Sequence, residues 1–203
     1  MPEIRAIFWD VGGVLLTNAW DHTERAAALK HFGLDGKEFN DRHEPLVSPF
    51  ECGKITLDEY LDRTVFYCPR PFTRESFRDF MYSLSHQLPE VIPFVQALTA
   101  SNKYLMSTIN NESRELNNYR IEKFGLRKIF RLFVSSCYVG LRKPENDIYR
   151  LALETTQMPA EQCCFVDDRA ANLEVPAKLG MHGIQMQTLE RLRADLAKLG
   201  VSP

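Results

Sequence analysis

Three acids, a hydroxyl and a lysine stand out by position: Asp10, Asp167, Asp168, Ser107 and Lys143. Three of these positions follow or close a short apolar run: Ala6 to Trp9 before Asp10, Lys103 to Ser107, and Cys163 to Val166 before Asp167-Asp168. Lys143 ends a loop that follows a fourth run, Leu132 to Ser135. A carboxylate inside a strand is expensive to bury, whereas the carboxyl end of a parallel strand is where open α/β sheets bind ligands. Three carboxylates gathered at one rim would repel and need a cation between them. An all-oxygen, partly hydrated donor set suits Mg²⁺, and a nearby lysine and serine suit a phosphate dianion. Gly12 and Gly13, just after Asp10, allow a ligand to approach the main chain closely.

The elements that must position these residues are legible in order. After Leu16 the chain turns helical: 21–32 stopped by Gly33, 35–43 ended by Pro45, 57–66 capped by Thr56, and 74–84 capped by Thr73. No strand is expected from about Trp20 to Gln87. From Leu88 helices alternate with the runs at 103–107, 132–135, 163–166 and 182–186, the pattern of a parallel sheet with right-handed crossovers. The expected fold is therefore α/β, a Rossmann-like parallel sheet with helices on both faces and a small all-helical insert. The expected boundaries are 1–16 with 88–203 for the sheet domain and 17–87 for the insert. Pro176 either starts its helix late or kinks it.

Composition narrows the classes. The 203 residues carry 25 Lys+Arg and 27 Asp+Glu, a formal charge of −2, so there is no basic excess to suggest a nucleic-acid partner. Five cysteines without a C-x-x-C pair (Cys52, Cys68, Cys137, Cys163 and Cys164) read as reduced thiols rather than a disulfide or zinc framework. No signal peptide and no membrane-spanning run is read, and the expected location is cytoplasmic.

Taken singly, each polar residue has a plainer role. Ser107 could cap a helix, Lys143 could be solvated, and Asp167-Asp168 could cap the next helix. Together they resemble the haloacid dehalogenase (HAD) superfamily over nearly the whole chain: FWDVGG, MSTIN, LRKPE and FVDDRAAN stand in that order, with a helical insert after the first. PFECGKITLDEY within the insert resembles a stretch of the cap in the subfamily that includes sugar-1-phosphate phosphatases.

The resemblance implies a Mg²⁺-dependent phosphohydrolase of small phosphorylated metabolites. Asp10 would be the nucleophile and form an aspartyl-phosphate. Mg²⁺ would be held by Asp10, the Gly12 carbonyl and Asp168, with Asp167 direct or through water. Ser107 and Lys143 would bind phosphoryl oxygens, helped by the N–H groups of Thr108 and Ile109, and Asn172 would support the acidic pair. Trp20, Phe50, Glu51 and Lys54 are the candidates to face substrate from the cap. Many HAD phosphatases carry a second aspartate two residues after the nucleophile, as acid and base, and here Gly12 stands there. A substrate with a good leaving group, a substitute such as Glu51 or a water, or lost turnover would each follow from that. A haloacid dehalogenase is the alternative hydrolase, although it needs no metal and the Asp167-Asp168 pair argues against it. A phosphate-binding protein without turnover is the alternative outside the enzymes.

Overall fold

The structure, a computed structural model, describes residues 3–203. Five strands form one sheet: β1 (Ala6–Trp9), β2 (Leu105–Asn110), β3 (Leu132–Ser135), β4 (Cys163–Asp167) and β5 (His182–Gln185). Their order is β3-β2-β1-β4-β5 and every pairing is parallel. Between β1 and β2 come α1 (His22–Phe32), α2 (Gly36–His43), α3 (Val47–Glu51), α4 (Leu57–Thr64) and α5 (Arg74–Ser83). The remaining helices are α6 (Val91–Ala100), α7 (Arg114–Lys123), α8 (Ser136–Val139), α9 (Asn146–Thr156), α10 (Glu174–Lys178) and α11 (Leu189–Lys198).

The near-continuous apolar strands are what a sheet covered on both faces requires. All four residues of β1 are buried, and they alternate between two cores. Ile7 and Trp9 join Met106 and Val166 with Leu98 of α6 and Leu192 of α11, whereas Ala6 and Phe8 join Ile109 and Phe165 with Ile148 and Tyr149 of α9. The helices between β1 and β2 pack around their own cluster, centred on Trp20, Phe39, Tyr60 and Phe77. Local capping fixes their ends: Thr56 and Glu59 form a reciprocal capping box on α4, and Asp21 caps α1, which Gly33 closes at φ 64°.

Two seams hold this helical stretch against the sheet. Leu16 and Gln87 form an antiparallel bridge where the chain leaves and re-enters the sheet. Gly53, at φ +65°, lies so close to the Cys137 carbonyl that a Cβ there would sit 2.2 Å from the oxygen. Ser136 at the start of α8 donates to the Glu51 carbonyl at 2.7 Å.

Several expectations change. β2 runs on to Asn110 rather than ending at Ser107, because the chain stays paired with β3 through Asn110↔Ser135. Pro176 falls in the first turn of α10, after a 3₁₀ turn over Ala170–Leu173, so the helix starts late and is not kinked. The short helices α3 and α8 were not expected, being too brief to show a period. All five cysteines are free, and no helix among the described residues is long and apolar enough to cross a membrane.

Candidate functional site

From β1 the chain builds outward through β2 and β3, then returns to place β4 on the other side of β1. The crevice at that reversal, beyond the strands' carboxyl ends, is where such sheets take ligands. Asp10 and Asp167 emerge there side by side, since Trp9 pairs with Val166 and the Asp10 N–H donates to the Val166 carbonyl at 2.8 Å. One oxygen from each of Asp10, Asp167 and Asp168 lies within 4.8 Å of the others.

Lys143 joins the group from the loop after α8. Its Nζ, on a side chain only 2% exposed, lies 2.8 Å from Asp10 Oδ1 and 2.7 Å from Asp167 Oδ2. Asn111 fixes its main chain from both sides, accepting from the Lys143 N–H at 2.8 Å and donating to its carbonyl at 2.9 Å. Asp167 is fully committed: Oδ1 accepts from the Arg169 N–H at 2.8 Å, and Asn172 Nδ2 lies 3.0 and 3.1 Å from its two oxygens. Asp168 is the contrast, for its Oδ1 is buried without any partner among the described residues.

The electrostatics match the geometry. Burial raises the Asp10 carboxyl to about 6, with Lys143 opposing and Asp167 adding to the rise. Burial also raises Asp168, again with Asp167 contributing. Two carboxyls penalised in this way, one of them with an unpartnered oxygen among the described residues, form a donor set that fits a hard divalent cation. Gly13 makes the approach possible, because at φ +70° its Cβ would lie 2.3 Å from Asp168 Oδ2.

A cavity of about 440 Å³ opens over the crevice. Asp10, Gly12, Lys143 and Asn172 border it, with Trp20, Phe50 and Glu51 from the helical stretch. Lys54 is exposed and outside its wall, the chain having turned at Gly53. Ser107, Thr108 and Ile109 are also outside the wall. Ser107 is fully buried in the body of β2, with Oγ donating to the Leu132 carbonyl at 3.1 Å. Residues 108 and 109 pair with β3, and Thr108 also pairs with β1, so their N–H groups belong to the sheet. Placing phosphate contacts at these three residues is thus corrected by the longer strand.

The real end of β2 brings Asn111 and Glu112 to the wall instead. Burial pushes the Glu112 carboxyl up to about 7 against the pull of Arg120, whose Nη1 is 3.0 Å away. Arg120 also donates to the Thr17 carbonyl at 2.6 Å. At position 12 the space beside the main chain is taken by Asn18, whose Oδ1 would lie 3.0 Å from an added Cβ. Arg142 and Arg169 reach the same cavity, paired with Glu51 at 2.7 Å and with Asp21. Their signal in the sequence was adjacency: Arg142 precedes Lys143, and Arg169 follows the acidic pair. Asn111 and Glu112 carry no signal in the sequence, because the apolar run that marks β2 stops short of the strand's paired end at Asn110.

Residues 4–180 match the family model of the haloacid dehalogenase-like hydrolases, and the chain belongs to that family. It is similar to flavin mononucleotide hydrolase 1 of Arabidopsis thaliana, 28% identical over 178 residues that span 84% of this chain and 69% of the relative. It is 25% identical to bifunctional epoxide hydrolase 2 of Sus scrofa, over 97% of this chain but only 39% of that protein. Among solved structures, the magnesium complex of the HAD family enzyme bt-2542 from Bacteroides thetaiotaomicron superposes with a TM-score of 0.80 at 18% identity, over 95% of this chain and 99% of that one. At that identity the likeness speaks for the fold.

Proposed function

We propose that this hydrolase is a Mg²⁺-dependent phosphohydrolase of a small phosphorylated metabolite, a sugar phosphate among the candidates, working through an aspartyl-phosphate on Asp10. The observation that carries the reading is Lys143 Nζ set between Asp10 and Asp167 at 2.8 and 2.7 Å, beside the unpartnered Asp168 oxygen. Asp10, the Gly12 carbonyl and Asp168 would hold the ion. Asp167, its oxygens already taken, orients Lys143. Bound Mg²⁺ would neutralise the carboxylates and the charge developing on the phosphoryl oxygens.

Asp10 then attacks phosphorus, the bond to the leaving oxygen breaks, and water later cleaves the acyl phosphate. Lys143 holds phosphoryl oxygens through both steps, and the loop that begins at Asn111 borders the cavity where the family resemblance implies Ser107. The helical stretch 17–87 serves as a cap whose aromatic wall excludes water. With Asn18 rather than a carboxylate beside Gly12, the favoured substrates are those whose leaving group departs without a strong acid, such as an anomeric or acyl phosphate.

Phosphate release from a panel of phosphate esters, with Mg²⁺ and with chelator, tests this. Turnover should need the metal, and Asp10→Asn should lower it by about 10³-fold or more while the fold persists. Undiminished turnover in that variant would remove Asp10 as nucleophile. Equally poor hydrolysis of alkyl and anomeric phosphates would remove the leaving-group preference.

A further inference from the structure

The cavity's cations are not alike. Arg120, Arg142 and Arg169 each face a carboxylate, and Lys143 faces two. Arg25 of α1 also borders the cavity but makes no ion pair among the described residues. Its Nη1 donates to the Trp20 carbonyl at 2.7 Å, while its Nε is buried without a partner.

Beside it a chain of hydrogen bonds fixes a second donor. Trp20 Nε1, which can only donate, lies 2.9 Å from the Tyr60 hydroxyl. The Tyr60 oxygen therefore accepts there, which leaves its proton for His43 Nδ1, 2.7 Å away. We assign Nδ1 as the acceptor of that proton, so that the neutral imidazole carries its hydrogen on Nε2. His43 is only 4% exposed yet borders the cavity, and Nε2 has no protein partner among the described residues. Burial first, and Arg25 second, hold the ring neutral by lowering its pKa to about 4. Packing fixes both rings: Phe39 stacks on His43 at 5.7 Å and Phe50 on Tyr60 at 4.1 Å.

We propose that Arg25 and His43 form a second anion subsite, which receives a carboxylate carried by the substrate away from its phosphoryl group. One guanidinium charge plus one neutral N–H matches a monoanion with two acceptor oxygens better than a phosphate dianion, which the Lys143 end is built to take. The proposal rests on the phosphohydrolase reading for the identity of the other end of the substrate.

The test is calorimetric binding to the full chain with Mg²⁺ of two non-hydrolysable series, ω-carboxyalkyl phosphonates and n-alkyl phosphonates of matched length. At the best-fitting length the carboxylate series should bind roughly 10- to 100-fold more tightly. Arg25→Met and His43→Phe should each pull that ratio toward one. Arg25 is only half-buried, so its variant serves if the His43 variant does not fold. Tyr60→Phe, which keeps the ring but frees the tautomer, should lower the ratio by less. Equal affinities in the two series, or a ratio unchanged in Arg25→Met, overturns the subsite and leaves the phosphoryl site standing. Failure of both series to bind overturns the phosphoryl reading and the subsite with it.

Discussion

At the scale of single residues, buried ionisable groups set what the protein tolerates. A single Lys143 charge is shared between Asp10 and Asp167, so Lys143→Met removes the cation that lies between them. Turnover should fall by about 10²-fold or more, since preorganised charge at the reacting phosphoryl is lost. Steady-state rates at saturating Mg²⁺ read this. His43 gives a pH signature. Unfolded, its ring titrates near the ordinary 6.5, and folded near 4. Between those values the unfolded chain binds a proton that the folded chain refuses. Stability present above about 6.5 is therefore lost as pH falls toward 4, by up to about 1.4 kcal/mol per pH unit. Urea midpoints at about pH 7 and about pH 5 should converge between wild type and His43→Phe as the solution is acidified. Parallel curves would show that His43 titrates freely in the folded protein.

At the scale of elements, the short helix α3 and the turn after it attach the helical stretch to the sheet. Gly53 cannot gain a side chain without striking the Cys137 carbonyl, and its φ of +65° is itself costly for other residues. Gly53→Ala should destabilise the protein by about 2 kcal/mol or more, measured by denaturant unfolding. Thr56→Ala, which removes half of the capping box on α4, should cost only about 1 kcal/mol. The difference separates a contact between layers from a local helix end.

At the scale of the whole molecule, strands that are remote in sequence bring Asp10, Asp167 and Asp168 together at one rim, the site we propose for Mg²⁺. A ligand that binds only the folded protein stabilises it by mass action, so Mg²⁺ at about 100 times its Kd should add about 2.7 kcal/mol. In a thermal scan this is a rise of roughly 5 to 10 °C. Asp168→Asn should abolish the rise while barely changing the metal-free midpoint. A full Mg²⁺ response in that variant would place the ion elsewhere.

The sequence alone determined the α/β class, the helical insertion after β1, and the polar ends of β1 and β4. Apolar runs, glycines and helix caps are local signals and survive without knowledge of the packing. Only the tertiary structure decided that β2 ends at Asn110, because that depends on β3 pairing alongside it. It likewise decided that Asp167 is saturated while Asp168 Oδ1 is not, that Asn18 fills the space beside Gly12, and that Arg25 Nε has no partner among the described residues. Each of these is a fact about neighbours far along the chain, and no periodicity in the residues themselves encodes which distant atom has a lone pair to spare.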